Sequence, residues 1–241
     1  MLARIEKTIK LQNSFISNAS HEIINPLASI TSQIEIALLS DRSIDHYKKT
    51  LNLVLQDIKR LNQISEQLIK LSKYAHSQEK VGFENLRIDE LLWEIKNNYL
   101  IKNPESKINF SIGNIPDNEL ALIFKVNEVL LKTCFNNLLD NGVKFSTNQE
   151  VKINLFVTDD LDLVITFEND GLGIYESEFE NLFNPFFRSS NSKNINGYGI
   201  GLAIVKSILD LHQFEIVVES IPNNKTIFSI YFKHQLNFKI N

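Results

Sequence analysis

Asn18-Ala19-Ser20-His21-Glu22-Ile23-Ile24-Asn25-Pro26-Leu27 sets an imidazole, a carboxylate and a carboxamide on a predicted helix, with a proline directly behind them to end or bend its hydrogen bonding. His21 and Asn25 are four residues apart and share a face, and Glu22, one step around, reaches the same solvent volume. Apolar residues recur at Ile16, Ala19, Ile23, Leu27, Ile30 and Ile34, a buried stripe with His21 roughly opposite its middle. The histidine is therefore expected to face water. Read alone, a helical histidine is an ordinary surface or capping residue, so its meaning depends on the rest of the chain.

Outward from this stretch, Leu2 to about Ser40 reads as one long helix with a narrow apolar seam. Ser40-Asp41-Arg42-Ser43 is a polar break, with Ser43 a candidate N-cap. Tyr47, Leu51, Val54, Ile58, Leu61, Ile64, Leu68, Leu71 and Ala75 then continue a near-heptad seam to about Ser77. An antiparallel hairpin with such seams cannot bury them alone, so two copies are expected to form a four-helix bundle in a homodimer.

The pattern changes between His76 and Val81, which divides the chain into domains at 1–78 and 79–241. The second domain alternates strands and helices. Phe83 to Ile88 reads as a strand, Asp89 as the cap of a helix through about Tyr99, and Lys107 to Ile112 and Leu120 to Val126 as further strands. Asn127 is expected to cap a helix to about Phe145, followed by a hairpin of Val151 to Thr158 and Leu161 to Glu168 turning at Asp159-Asp160. A short helix near Glu176 to Phe183, a helix over Gly201 to His212, and strands at Glu215 to Glu219 and Thr226 to Phe232 complete an α+β sandwich, a mixed sheet covered by helices.

Composition excludes several classes. The 241 residues allow two modest domains, and 43% hydrophobic with 22% charged residues is ordinary globular usage. With 25 basic against 29 acidic residues and no long basic run, nucleic acid is not an expected partner. The single cysteine, Cys134, lies in an apolar helical pattern and reads as a small core residue; it rules out a disulfide or thiolate metal framework within the chain. There is no apolar run of about 18 residues, and charges are mixed through Met1 to Lys10, so the chain itself is expected to be soluble and cytoplasmic, the parent protein being open to membrane anchoring through a region outside this chain.

Four separated motifs in the second domain point to a nucleotide. In Asn137-Leu138-Leu139-Asp140-Asn141-Gly142-Val143-Lys144-Phe145, the residues Asn137, Asn141 and Lys144 share one helical face while the other is apolar. Carboxamide oxygens suit magnesium and a lysine suits phosphate, although in isolation this face could be merely solvated. Asn169-Asp170-Gly171-Leu172-Gly173-Ile174 follows a strand with two glycines that let backbone approach a ligand. Asn184-Pro185-Phe186-Phe187-Arg188 is an aromatic cluster ending in a cation, which in isolation reads as a turn with core anchors. Gly197-Tyr198-Gly199-Ile200-Gly201-Leu202 opens a helix whose free N–H groups favour phosphate. Five of the chain's eight glycines fall in these two loops, which is hard to reconcile with turn chemistry alone.

In this order the motifs resemble the N box, first glycine box, F box and second glycine box of the histidine-kinase catalytic domain, a Bergerat-type ATPase fold, and Phe15 to Ile30 resembles the phospho-acceptor box of sensor histidine kinases. The resemblance spans nearly the whole chain. It implies a two-component sensor histidine kinase core with ATP and Mg2+ as cofactors and a response regulator as partner. It implies His21 as acceptor, Glu22 as its proton partner and Asn25 as the residue orienting water for phosphatase activity. It further implies Asn141 as the magnesium ligand with Asn137 beside it, Lys144 on phosphate, and Gly171, Gly173 and Ile174 around adenine. Arg188 would approach the γ-phosphate from a lid between about Tyr175 and Asn196, and Gly197, Gly199, Gly201 and Leu202 would hold the phosphates.

Two departures stand out. Members usually carry Asp where alignment on Gly171 and Gly173 places Asn169, so the bond to the adenine amino group loses charge assistance. The usual glycine-rich turn between the last two strands is replaced by Pro222-Asn223-Asn224-Lys225-Thr226, where an asparagine is expected to take positive φ. A non-catalytic signalling dimer is disfavoured by the intact His21, Glu22, Asn137 and Asn141, and a clamp-type ATPase by the lack of a carboxylate at Asn137.

Overall fold

In the computed structural model the described residues are 2–76, 82–116, 119–158, 162–192, 195 and 197–233. Helix α1 (Leu2–Leu38) and helix α2 (Ile44–His76) form the hairpin. Ser43 caps α2 as expected, its Oγ accepting from His46 N at 3.3 Å. Pro26 neither ends nor breaks α1, which runs on to Leu38, and the ring is buried. The hairpin's own interior is thin: among the described residues Ala37, Val54 and Ile64 are its buried hydrophobic side chains. The expected α1 seam divides, with Ala19, Ile23 and Ile30 half-buried and Ile16, Leu27 and Ile34 exposed.

Strand β1 (Glu84–Arg87) pairs antiparallel with β3 (Ile123–Val126), and helix α3 (Ile88–Lys102) follows β1 directly. Two sequence expectations fail in this domain. Asp89 does not cap α3: the N-cap position is Arg87, and the Asp89 carboxylate instead accepts from Arg87 Nη2 at 2.9 Å, so a local ion pair has taken the side chain that the cap would have used. Leu120 to Leu122 lies in a 3-10 helix (Glu119–Leu122) and not in the expected strand. The short helix expected near Glu176 to Phe183 is present as a 3-10 helix over Glu176–Asn181. The hairpin turn expected at Asp159-Asp160 and the domain boundary expected at residue 78 lie outside the described residues.

The main sheet has the order β2 (Lys107–Ile112), β4 (Glu150–Val157), β5 (Leu163–Asp170), β7 (Lys225–Phe232), β6 (Glu215–Ile221). The β2–β4 pair is parallel and the others are antiparallel. Helices α4 (Glu128–Phe145) and α5 (Gly201–His212) cover the sheet and pack on each other. Helix α4 buries Leu131, Cys134, Phe135, Leu138, Leu139 and Gly142, a stripe that leaves Asn137, Asn141 and Lys144 on the other face. Asn127 caps α4 as expected, accepting from Leu130 N at 2.9 Å. Its own N–H donates to His212 Nε2 at 3.0 Å, tying the start of α4 to the end of α5. Asn223 takes φ 58° in the β6–β7 turn, as expected for an asparagine standing in for glycine.

The two parts are packed together. Helix α2 runs along α5, and the Phe15 ring of α1 lies 5.7 Å from that of Phe186.

Candidate nucleotide and phospho-acceptor sites

A cavity of about 260 Å3 opens between α4, the ends of β5 and β7, and the loop leading into α5. Of the candidate nucleotide-site residues, Asn137, Asn141, Lys144, Asn169, Gly173, Ile174, Arg188, Gly197, Gly199, Gly201 and Leu202 line it; Gly171 does not. Gly171 serves the packing instead. At its φ of 134° a side chain would run into the carbonyl of Phe145, so the glycine lets β5 pass against the end of α4.

The floor is set by strand register. Asn169 on β5 lies opposite Thr226 on β7, both are buried, and both line the cavity. Asn169 Nδ2 donates to the carbonyl of Asp170 at 2.8 Å, leaving its amide oxygen as the side chain's acceptor. Beside it Thr226 Oγ1 and Ser220 Oγ are 2.8 Å apart, and Ser220 Oγ accepts from Ile174 N at 2.9 Å, fixing the loop after Gly173. Asp170 turns away. Its carboxylate accepts from Thr147 Oγ1 at 2.7 Å and Asn148 Nδ2 at 3.2 Å, and bonds from Ser146 and Thr147 hold it below the usual carboxylate range.

The wall formed by α4 carries the polar face. Asn137 Nδ2 donates to Thr133 O at 2.8 Å, which leaves Oδ1 directed at the start of α5, where a Cβ on Gly201 would meet it at 2.9 Å. Burial and the neighbouring Arg188 guanidinium both push the Lys144 ammonium down, so two cations converge on one end of the cavity. Such a pair favours a polyanion. Arg188 Nη2 donates to the carbonyls of Ser192 at 2.8 Å and Ile195 at 2.7 Å, both within the stretch expected as a lid. Ser190 N donates to Glu178 Oε1 at 2.9 Å and anchors the same segment's other flank. Residues 193, 194 and 196 of the expected lid lie outside the described residues. Desolvation pushes the Asp140 carboxyl up, and the bond it accepts from Tyr99 opposes this.

On the hairpin, His21 and Asn25 are exposed, while Glu22 is half-buried and pairs with Arg60 of α2 at 3.2 Å. His21 does not line the cavity; the hairpin reaches it through Gln67. Gln67 gave no signal in the sequence, because its place depends on how α2 docks. Thr226 and Phe228 also line the cavity and were legible only as alternating strand residues.

Among the described residues no group of three or more His, Cys, Asp or Glu is arranged to hold a metal, and no helix is long and apolar enough to cross a membrane. The carboxamides of Asn137 and Asn141 line the same cavity as Lys144 and Arg188, and amide oxygen is a donor that fits a hard divalent ion sharing its coordination with phosphate and water.

A cavity of this build beside a helical hairpin with an exposed histidine points to one class of protein. Residues 11–76 match the His Kinase A (phospho-acceptor) domain and residues 126–236 match the histidine kinase-, DNA gyrase B-, and HSP90-like ATPase family. The chain belongs to the sensor histidine kinases, of which it carries the acceptor and ATPase modules. It is similar to the phosphate regulon sensor protein PhoR of Pseudomonas aeruginosa, 25% identical over 96% of this chain and 52% of PhoR. It is similar too to the histidine-protein kinase AtoS of Escherichia coli, 29% identical over 95% of this chain and 36% of AtoS. The heme sensor protein HssS of Staphylococcus saprophyticus is 30% identical over 92% of this chain and 47% of HssS. The chain thus spans about half or less of these relatives. In fold it matches the Acinetobacter baumannii histidine kinase AdeS, with TM-score 0.64 and 19% identity over 89% of this chain and 98% of that one. It also matches the histidine kinase ThkA, solved in complex with the response regulator protein TrrA, with TM-score 0.67 and 21% identity over 95% of this chain and 64% of that one.

Proposed function

We propose that this chain transfers the γ-phosphoryl group of ATP to His21 and passes it on to an aspartate of a response regulator. The observation that carries the reading is the joint presence, in one chain, of a cavity lined by the asparagine face of α4 and both glycine loops, and of an exposed histidine followed by a carboxylate on the hairpin. In the transfer, an imidazole nitrogen of His21 forms a bond to the γ-phosphorus as the bond to the β–γ bridging oxygen breaks, and ADP leaves. Glu22 takes or orients the proton on the other ring nitrogen. Phosphoryl transfer needs mainly positioning and charge neutralisation; Lys144 and Arg188, which line the cavity near one another, would supply the latter.

Asn141, with Asn137 beside it, would hold Mg2+; when bound, the ion would neutralise phosphate charge. Asn169 would accept from the adenine amino group, and the glycines of the α5 loop would offer backbone N–H groups to the phosphates. Asn25, exposed on the same face as His21, would orient a water for the reverse hydrolysis of the phosphorylated regulator.

The exposed apolar residues of the hairpin support a homodimer. Leu38 is 79% and Leu51 65% exposed in the single chain, and a second hairpin would cover them in a four-helix bundle. A cytoplasmic position belongs to the same reading, since both ATP and the regulator would be met there. The test is mass-spectrometric mapping after incubation with Mg–ATP: the reading expects phosphohistidine in the peptide holding His21, and phosphate release without modified protein would turn it into a clamp-type ATPase.

A further inference from the structure

Arg60 touches both chemical halves of the molecule. Its Nη2 pairs with Glu22 Oε2 at 3.2 Å, and its guanidinium carbon lies 5.6 Å from the ring centroid of Tyr198. Tyr198, between Gly197 and Gly199, lines the nucleotide cavity and donates its hydroxyl to Gln63 Oε1 at 3.3 Å, one turn further along α2. A continuous chain of contacts thus runs from the acceptor helix through Arg60 to the phosphate loop.

The direction of Glu22 gives this chain its meaning. Successive helical side chains diverge by about 100°. His21 is exposed, whereas Glu22 is half-buried against α2, so a carboxylate held by Arg60 is turned from the neighbouring imidazole. Besides its link through Tyr198, the cavity meets the hairpin lower down, at Gln67. Gln67, the α2 residue lining the cavity, lies two helical turns past Arg60, about 10 Å along the axis. Phe15, which packs on Phe186, lies two turns before Glu22 on the antiparallel α1, so both contacts fall at the same level below His21.

We propose that Arg60 is a positioning residue that keeps Glu22 turned away from His21 while the Tyr198 ring lies against its guanidinium, and that phosphoryl transfer requires this joint to open. The proposal rests on the reading of Glu22 as the proton partner of His21. Phosphates drawing on the Gly197–Gly201 backbone move Tyr198 and remove one of these two contacts of Arg60, so nucleotide binding itself loosens the hold on Glu22. Both contacts are partly exposed, and each is of a strength that shifts an equilibrium by only about two- to fivefold, suited to a reversible joint.

The test uses the full chain. Arg60→Gln should raise the initial autophosphorylation rate at saturating Mg–ATP about two- to fivefold, the range set by a partly exposed ion pair, and should lower KM for ATP by up to the same factor, because nucleotide no longer has to displace Tyr198 from Arg60. Arg60→Lys keeps the charge and should return the rate to within about twofold of the parent. Independently of catalysis, Arg60→Gln and Glu22→Gln should each speed amide hydrogen exchange at residues 197–201. A fallen or unchanged rate in Arg60→Gln, or loop exchange that stays at the parent's level in both variants, overturns the proposal. Absence of label in the parent would instead defeat the kinase reading, and the exchange measurements would still decide the joint.

Discussion

Asn169 donates its amide hydrogen to the Asp170 carbonyl at 2.8 Å while facing Thr226 across the β5–β7 ladder. The bond fixes which end of the amide is the acceptor in the cavity. It also gives the asparagine a structural role that a carboxylate could not fill, because two oxygens would then face each other in a buried site. Asn169→Asp should therefore lower the stability of the nucleotide-free protein by about 1–2 kcal/mol, the cost of a buried acceptor left without its donor. Chemical denaturation measures this; an unchanged or raised midpoint would mean that the amide bond contributes nothing.

Gly142 lies inside α4, where Ala is ordinarily the better helix former by about 1 kcal/mol. Here packing decides the sign. An added Cβ would meet Val151 Cγ2 at 2.6 Å, and Val151 is fully buried with a stiff side chain. Gly142→Ala should destabilise by about 1–2 kcal/mol net, the overpacking cost exceeding the propensity gain. A stabilised variant, measured by urea unfolding, would show that the sheet gives way under α4.

His212 is buried, and desolvation holds its imidazole below its ordinary value, with the Ile208 carbonyl opposing the shift. Its Nε2 accepts from Asn127 N, so the ring must be neutral there and Nδ1–H donates to Ile208 O at 2.7 Å. The unfolded chain binds the proton first as pH falls, so stability drops as pH is lowered through about 6.5, the unfolded value, toward the folded one. Unfolding measured about one pH unit above and one below that value should show this loss, and His212→Gln should flatten the slope. An equal slope in the variant would assign it to other groups.

Asn141→Ala should remove the magnesium dependence of ATP binding while leaving magnesium-free nucleotide binding within about twofold, since a neutral amide contributes mainly through the ion it holds. Calorimetric titration with and without Mg2+ separates the two; an undiminished magnesium effect would move the ligand role elsewhere.

Much of this architecture was legible in the sequence because the signals are local. The α4 face at Asn137, Asn141 and Lys144, the Asn127 cap and the positive φ of Asn223 come from spacing and turn chemistry within a few residues. Asp89 misled for an equally local reason: an acidic residue at a helix start reads as a cap, but Arg87 two residues before it offered a charged partner. Leu120-Ala121-Leu122 runs straight into the apolar residues of β3 and so reads as the start of that strand, yet none of the three is β-branched or aromatic, and the chain turns there into a 3-10 helix. The remainder depends on docking. Gln67 reaches the cavity, and Arg60 bridges Glu22 and Tyr198, only because α2 packs along α5, and no periodicity within either segment encodes that approach.

Phosphoryl transfer from cavity-bound ATP to His21 is the central claim, and the structure separates its two halves: His21 is exposed and lies outside the residues lining the cavity. Loss of the histidine should therefore abolish transfer without touching nucleotide binding. The measurement is labelling of the full chain and of His21→Ala with γ-labelled ATP, alongside a thermal-shift titration of both with Mg–ATP. The expected result is acid-labile label on the parent, none on His21→Ala, and the same nucleotide-induced stabilisation in both. Label persisting on a His21→Ala protein that still binds ATP would contradict the claim.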